Sequence, residues 1–282
     1  GFQALIACLA LQYLLFTSPH QNMSVLGIIA ALHQEIASLL QAMGPNVKVH
    51  RIGQRDYHEG TLMGRPCVVV LSRIGKVAAA ATTVTLIREF KVSAILFTGV
   101  AGSINKQVKV GDVVVATQLL QYDINASPLF PRYEVPLLGL SHFDADTSLS
   151  AQLQQCAQDY ISQDLSIDVN AASREAFRLH QPQCHTGIII SGDCFVSDAT
   201  HSKQLQQDLP AALCVEMEGA SVAQICYEYE IPFAIARIIS DQADGSAHID
   251  FNAFLEQVAR FYSAGILKRF LNNTAPVGQA SL

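Results

Sequence analysis

Short apolar runs alternate with amphipathic segments along most of this chain. Residues 24–31 and 233–239 are apolar runs of strand length, whereas apolar residues recur at helical spacing over residues 75–90. Strands that alternate with helices predict a mostly parallel or mixed sheet that is covered on both faces. The predicted strands span residues 24–31, 47–52, 56–62, 66–71, 94–97, 113–120, 186–191, 211–215 and 233–239, and the predicted helices span residues 33–43, 75–90, 149–161, 218–229 and 251–270.

Three segments depart from this alternation. Residues 122–140 are rich in proline and apolar side chains, which predicts a structured loop of the kind that often carries function. Residues 162–183 are polar and have no clear period, which predicts a surface insertion. Residues 99–102 begin and end with glycine after a predicted strand, so we expect a turn whose backbone N–H groups face a ligand.

The first 22 residues form an apolar N-terminal segment with two open interpretations. Residues 4–16 have the length of a secretory signal and are too short to span a bilayer comfortably, but no Lys or Arg precedes them. The segment is therefore either an export signal or an extension that is not part of the folded domain. We favour the second interpretation, which predicts one domain over residues 23–282, no stable membrane span and a cytoplasmic location, with export as the alternative.

Composition excludes several kinds of partner and site. The formal net charge of −6 offers no basic field to a nucleic acid. The 7 cysteines form no C-x-x-C pair and several lie in apolar runs, which favours buried free thiols in a reducing compartment. The 9 histidines are scattered, and no His/Cys cluster has the spacing of zinc ligands. We therefore expect no nucleic-acid partner and no metal.

Acidic residues stand at the ends of two predicted strands. Ser240 and Asp241 end an apolar run, where burial would raise the pKa of the carboxyl and suit it to act as a general acid. Glu216 and Glu218 flank Met217 at a strand-to-helix junction, where two acceptors would suit a vicinal diol. A turn cap and a helix N-terminus explain the same acids, so position alone does not separate chemistry from capping.

Two further residues are candidates for the same edge of the sheet. Glu35 follows the first predicted strand, although an ordinary exposed position in the first turn of a helix explains it equally well. Phe195 closes a run in which Gly192 would let the backbone approach a ligand, and its ring could stack on an aromatic base. A tight turn with a core phenylalanine is the alternative.

Short motifs in a fixed order carry a resemblance that none of these signals carries alone. The motifs are GIIAALxxE at 27–35, SRIGKVAAA at 72–80, TGVAGS at 98–103, VGDVVVA at 110–116, ISGDxF at 190–195, VEMEGA at 215–220 and RIISDQAD at 237–244. Together they resemble the bacterial 5′-methylthioadenosine/S-adenosylhomocysteine nucleosidases over residues 24–271. The resemblance implies a three-layer αβα sandwich with a central mixed, mostly parallel sheet of the nucleoside phosphorylase type. It also implies hydrolysis of the N-glycosidic bond of these two nucleosides, with release of adenine.

The resemblance implies a set of catalytic roles. Asp241 matches the general acid that protonates N7 of adenine, and Ser240 would orient it. Glu35 matches the residue that holds and activates the attacking water. Arg237 and Glu216 match groups that order the surroundings of that water. No metal or organic cofactor is implied, because activation of the leaving group drives the reaction.

The resemblance also implies a set of binding roles. Glu218 would grip the ribose hydroxyls and stabilise positive charge that builds on the sugar in the transition state. Phe195 would stack on adenine. The other implied positions are Met217 beneath the sugar, Val196 with its backbone at the adenine edge, Phe251 and Ile74 in the apolar wall, and Val100 where many relatives have serine.

A homodimer is the implied assembly, in which the partner's loop over residues 122–140 completes the slot for the 5′-thio group. Leu129, Phe130 and Pro136 are the candidate residues of that loop.

Three other functions compete with this one. A phosphorylase of the same fold would need cations for phosphate, and residues 27–35 and 100–105 contain no Lys or Arg, so hydrolysis is favoured. A 6-amino-6-deoxyfutalosine hydrolase would use the same chemistry and differ only in the 5′ pocket. A non-catalytic nucleoside-binding protein would lack Asp241 or Glu35, and both are present.

Overall fold

A computed structural model describes residues 24–30, 33–243 and 251–273, apart from the side chains of Gln34 and Glu35. The N-terminal segment of residues 1–22, with both of its interpretations, lies outside these ranges. The strands are β1 (Leu26–Ala30), β2 (Lys48–Ile52), β3 (Arg55–Leu62), β4 (Arg65–Leu71), β5 (Ala94–Ser103), β6 (Val113–Gln121), β7 (His142–Asp144), β8 (Cys184–Ser191), β9 (Ala212–Glu216) and β10 (Phe233–Asp241).

Helices connect most of these strands. Two of the longer helices contain a π-helical segment, Tyr160–Asp164 after α3 and Leu255–Ala259 after α8. The helices are α1 (His33–Ala42), α2 (Lys76–Phe90), α3 (Thr147–Asp159), α4 (Leu165–Asp168), α5 (Ala171–Ala176), α6 (Ala199–Asp208), α7 (Gly219–Glu228), α8 (Phe251–Phe254) and α9 (Arg260–Asn273).

Helices cover both faces of the sheet, because successive strand residues point to opposite sides. Ile28 and Leu96 pack into a core with α1, α3 and α9, whereas their neighbours Ile29 and Phe97 pack into a second core with α2 and α7. These strands are buried on both faces, which is why they are apolar throughout and do not alternate with polar residues. The predicted double coverage of the sheet is confirmed.

Five strands of the mixed sheet close into a ring, and this closure is where the structure departs from a simple three-layer sandwich. The neighbour order is β10-β6-β8-β9-β5-β1-β4-β3-β2, and β10 also pairs with β5. The long strand β5 makes the closure, because its first half pairs with β1 and its last residues pair with β9. Parallel and antiparallel pairings are about equally frequent, so the sheet is mixed rather than mostly parallel.

The turn predicted at residues 99–102 is wrong. These residues continue β5 in extended conformation, and they pair in parallel with β10 from Arg237 to Asp241. Their backbone groups therefore belong to the sheet. Glycine permits a turn without requiring one, and here Gly102 lets β5 lie close to the side chain of Asp241.

The predicted surface position of the polar stretch at 162–183 is confirmed for most of its residues, and part of the stretch is helical. It continues α3 through the first π-helical segment into α4 and α5, and Leu165, Val169 and Leu179 are buried. Asn170 caps α5 by accepting a hydrogen bond from the Ser173 N–H at 2.9 Å. The segment thus anchors to the core through a few apolar side chains among many polar ones. The loop at 122–140 is confirmed as irregular chain between β6 and β7.

The cysteines of the described ranges are free thiols, and most of them are core residues. Cys67, Cys156, Cys214 and Cys226 are buried, whereas Cys194 is exposed. Burial raises the pKa of the Cys67 thiol to about 12, so it packs as a small apolar group and does not react as a thiolate. The prediction of buried free thiols is confirmed for these four. No helix in residues 24–30, 33–243 and 251–273 is long and apolar enough to cross a membrane.

Candidate active site

A pocket lies at the carboxyl ends of β5, β9 and β10, the place where ligands bind to sheets of this kind. Eleven of the residues that the sequence nominated line it together. They are Asp241, Ser240, Arg237, Glu216, Glu218, Met217, Phe195, Val196, Phe251, Ile74 and Val100.

Asp241 ends β10 and is buried at the pocket wall. The Ser240 hydroxyl donates to its Oδ2 at 2.7 Å, and the Ala243 N–H donates to its Oδ1 at 2.7 Å. Ser240 Oγ also lies 3.3 Å from the carbonyl oxygen of Ala101 on β5. The carboxyl group is therefore held in one orientation at the point where the strand enters the pocket.

Gly102 makes room for this carboxyl group. A Cβ atom at position 102 would lie 2.8 Å from Asp241 Oδ1 and 3.0 Å from Ala243 Cβ, which is closer than real Cβ contacts. Any side chain here would displace Asp241. The glycine is evident in the sequence, but the close approach that requires it arises from the pairing of β5 with β10.

Glu216 and Arg237 form a buried ion pair in the lining of the pocket. Arg237 Nη2 donates to Glu216 Oε2 at 2.7 Å and Nε donates to the same oxygen at 3.2 Å. The guanidinium carbon lies 3.9 Å from the centre of the Phe97 ring, which adds a cation–π contact. Both charges are out of water, so each depends on the other and on further hydrogen bonds.

The other hydrogen bonds to Glu216 come from its own junction. The Ser191 hydroxyl at the end of β8 donates to Oε1. The N–H groups of Glu218 and Gly219 donate to the same carboxylate at 3.1 Å and 2.9 Å from Oε2. Glu216 thus joins β8, β9, β10 and the start of α7. The sequence placed Ser191 at the end of a predicted strand and within the ISGDxF motif, and its link to Glu216 was missed.

Glu218 lies on the opposite side of the junction and reaches the start of α2. The Gly75 N–H donates to Glu218 Oε1 at 2.8 Å. Gly75 has a φ of 100°, a value in the region that favours glycine. A glycine is therefore suited to the position before α2 whose N–H reaches Glu218. The sequence placed Gly75 at a helix start and did not connect it with Glu218.

Two aromatic rings form an apolar wall of the pocket. Phe195 and Phe251 pack edge to face, with ring centres 6.0 Å apart. Phe195 is partly exposed, Val196 beside it is buried, and Ile74 is exposed on another part of the lining. An apolar wall with an accessible aromatic face suits a flat, weakly charged ring such as a nucleobase.

The loop residues nominated for the 5′ slot do not line this pocket. Leu129, Phe130 and Pro136 are absent from its lining, and Leu129 is 84% exposed. Leu137 on the same loop is 92% exposed. Their contribution to a pocket stays a prediction.

Glu35 lies in α1, and its side chain is outside the described part of the structure, so its role also stays a prediction. Within residues 24–30, 33–243 and 251–273, no group of three or more His, Cys, Asp or Glu side chains is placed to hold a metal ion.

Comparisons with known proteins agree on one family. A family model described as the phosphorylase superfamily matches residues 25–272. The aminodeoxyfutalosine nucleosidase of Helicobacter pylori is 34% identical over 250 residues, which cover 88% of this chain and 97% of that protein. The 5′-methylthioadenosine/S-adenosylhomocysteine nucleosidase of Shewanella oneidensis is 30% identical over 251 residues, covering 89% and 98%.

Solved structures give the same result. The 5′-methylthioadenosine/S-adenosylhomocysteine nucleosidase of Neisseria meningitidis, crystallised in complex with methylthio-immucillin-A, aligns with a TM-score of 0.76 at 32% identity. The alignment covers 89% of this chain and 100% of that one.

Proposed function

Because this chain belongs to the phosphorylase superfamily, we propose that its pocket hydrolyses the N-glycosidic bond of 5′-methylthioadenosine and S-adenosylhomocysteine, releasing adenine. The observation that carries the proposal is the buried carboxyl of Asp241, which is oriented by Ser240 in a pocket with an accessible aromatic wall. The names of the relatives support the substrate class, and the pocket supplies residues of the types that the reaction needs.

The reaction breaks the bond between C1′ of the ribose and N9 of adenine. Asp241 donates its proton to N7, so adenine leaves as a neutral base. Water adds to C1′, and Glu35 accepts the proton that the water loses. Glu218 lies where its carboxylate can hold the ribose hydroxyls and offset the positive charge that develops on the sugar. Phe195 stacks on the base, and the backbone of Val196 contacts its edge.

Arg237 and Glu216 line the pocket as a buried ion pair, and we assign them a positioning role. Their charges pair with each other, and their hydrogen bonds join the ends of β9 and β10 to the start of α7. Through these strand ends, the two residues would order the groups that surround the attacking water. Met217, Phe251, Ile74 and Val100 supply the apolar lining.

Hydrolysis is favoured over phosphorolysis because two cations and two backbone amides that could bind phosphate are already paired with carboxylates. Arg237 pairs with Glu216, and Lys76 pairs with Asp123. The first amides of α2, which could bind an anion, already bind the carboxylates of Glu218 and Asp193. A phosphate ion would have to displace these partners.

Adenine release from 5′-methylthioadenosine, measured with and without phosphate, tests the reaction. We expect phosphate-independent release. Release that requires phosphate would identify a phosphorylase, and binding without release would identify a nucleoside-binding protein. The Asp241→Asn variant should lose turnover by a factor of about 100 or more while it still binds the nucleoside, because an amide cannot donate the proton. Asp56→Asn, at an exposed position of β3, is the matched control, and equal activity of the two variants would contradict the assignment.

A second substrate has specific support. The Helicobacter pylori relative is named for aminodeoxyfutalosine, and it matches this chain at least as closely as the methylthioadenosine relatives do. Both substrates present adenine and ribose, so the same chemistry serves both, and only the 5′ pocket would separate them. Competition of the two nucleosides for the wild-type enzyme, read as the ratio of kcat/KM values, decides which one the pocket prefers.

The proposal includes a homodimer in which the partner's Leu129, Phe130 and Pro136 complete the 5′ slot. The high exposure of Leu129 and Leu137 supports it, because apolar side chains so exposed on one loop are typical of a contact surface. We expect a dimer by sedimentation, and Leu129→Asp should weaken it and raise KM for the thionucleoside. A monomeric and fully active wild-type protein would contradict this arrangement. The free buried thiols favour a reducing compartment, so the proposed location is the cytoplasm.

A further inference from the structure

Lys76 joins two walls of the pocket without lining it. Its backbone N–H donates to Asp193 Oδ1 at 2.8 Å, in the segment that leads from β8 to Phe195. Its ammonium group contacts Asp123 Oδ1 at 2.5 Å and Gln121 Oε1 at 3.0 Å, at the end of β6. The side chain is mostly buried, so this is a fixed contact and not a mobile surface lysine.

Asp123 and Asp193 close this set of contacts. The Asp193 N–H donates to Asp123 Oδ2 at 2.8 Å, so one carboxylate group connects the Lys76 ammonium to the backbone before Phe195. The Tyr122 hydroxyl donates to the Cys194 carbonyl oxygen at 3.2 Å. The two residues that precede Phe195 are therefore held by neighbours at the end of β6.

The same turn also holds the ribose side of the pocket. The N–H of Gly75 binds Glu218, and the N–H of Lys76 binds Asp193. Two consecutive amides thus bind one carboxylate on the ribose side and one on the base side. The backbone alone makes these two contacts, so the ammonium group of Lys76 must have a separate effect.

That effect is electrostatic. The Asp123 carboxylate binds the Lys76 ammonium group through Oδ1 and the Asp193 N–H through Oδ2, so one anion holds a cation and a backbone amide at the same time. Lys76 is the mostly buried member of this set, and its charge-assisted hydrogen bond fixes the position of the more exposed Asp123 carboxylate. Without the ammonium group, the Asp123 carboxylate would turn toward water, and the Asp193 N–H at the start of the Phe195 segment would lose its fixed acceptor.

We propose that Lys76 is a positioning residue whose side chain holds the Phe195 segment in place for the purine base through Asp123 and Asp193. The inference rests on the proposed function, because it assumes that Phe195 contacts the base. It predicts a loss of base binding from a substitution at a residue that does not itself line the pocket.

The test is the affinity for free adenine, which has no ribose and no 5′ substituent. Lys76→Met keeps the backbone amide and removes the charge. We expect its Kd for adenine, measured by calorimetry, to rise about tenfold, in line with the loss of one charged hydrogen bond. For 5′-methylthioadenosine, KM should rise by more than kcat falls. Lys76→Arg should retain most of the affinity, and Lys48→Met on exposed β2 is the matched control.

A charge-removal variant separates positioning from general damage. In Lys76→Met combined with Asp123→Asn, the side-chain amide oxygen can still accept from the Asp193 N–H and carries no charge that draws it toward water, so adenine affinity should recover in part. Wild-type adenine affinity in Lys76→Met, or equal losses in Lys76→Met and Lys76→Arg, would overturn the inference. If Lys76→Met does not fold, Asp123→Asn and Lys76→Arg carry the same comparison. Failure of the wild type to hydrolyse any nucleoside would refute the proposed function. The role of Lys76 would still be tested, because adenine binding is measured without turnover.

Discussion

Two ion pairs of nearly equal length lie in different parts of the molecule. Arg237 Nη2 and Glu216 Oε2 are 2.7 Å apart in the lining of the pocket, and Arg269 Nε and Asp164 Oδ2 are 2.6 Å apart between α9 and the first π-helical segment. The side chains of the first pair are 1% and 3% exposed, and those of the second are 23% and 33% exposed. Distance alone would rank them together.

Their surroundings differ in what replaces water. Around Glu216, a serine hydroxyl and two backbone amides donate to the carboxylate, and Arg237 lies over Phe97. Around Arg269, the additional partner is the side chain of Gln163, and solvent reaches both charges. A buried pair that loses one member leaves a charge that cannot be rehydrated, whereas an exposed pair does not. The pair at the strand ends should therefore dominate stability.

The largest effect should come from Arg237→Met. It leaves the Glu216 carboxylate buried with hydrogen bonds but without its countercharge, which should lower the free energy of unfolding by about 3–5 kcal/mol. Urea unfolding measures this value. Arg269→Met is the matched control, and equal losses in the two variants would show that burial does not decide the strength of these pairs.

An intermediate effect is expected from Ser191→Ala. The hydroxyl donates to Glu216 and accepts from the Ala220 N–H at 2.7 Å, so its removal leaves buried polar groups without partners. The free energy of unfolding should fall by about 1–3 kcal/mol. Ser162→Ala removes an exposed hydroxyl and should change little. A loss below that of Ser162→Ala would mean that Arg237 and the amides suffice for Glu216.

The smallest effect is expected from Arg269→Met, and it should depend on pH. The hydrogen bond from Arg269 holds the pKa of Asp164 below its usual value, so the pair stabilises the folded state above the ordinary aspartate range. The contribution is lost as the pH falls through the lowered pKa. At neutral pH we expect a difference of about 0.2–1 kcal/mol from wild type, which vanishes in acid. A difference that grows in acid would contradict this sign.

The elements were predictable where apolar residues are dense. The buried strands β1, β8 and β10 and the helix α2 lie close to their predicted bounds. In contrast, β7 has three residues and α6 buries Leu205 alone within its bounds, so neither carries enough apolar residues to show a period. The closure of β5 onto β10 was not predictable, because pairing between distant strands leaves no local pattern.

The site was predictable in its residues more than in its connections. Motifs indicated Asp241, Glu216 and Glu218, which do meet in one pocket. The contacts of Gly75 with Glu218 and of Ser191 with Glu216 join residues far apart in sequence, so only the folded chain shows them.

The closed ring of β5, β10, β6, β8 and β9 has a consequence for hydrogen exchange. Amides in a ring without a free edge are expected to exchange with solvent only when large parts of the domain open, whereas those of β2, at the end of the sheet, exchange by local fraying. Asp241 and Glu216 stand on the slowly exchanging ring. A bound nucleoside would therefore leave exchange at these strands nearly unchanged, and its protection would be seen in the segment around Phe195.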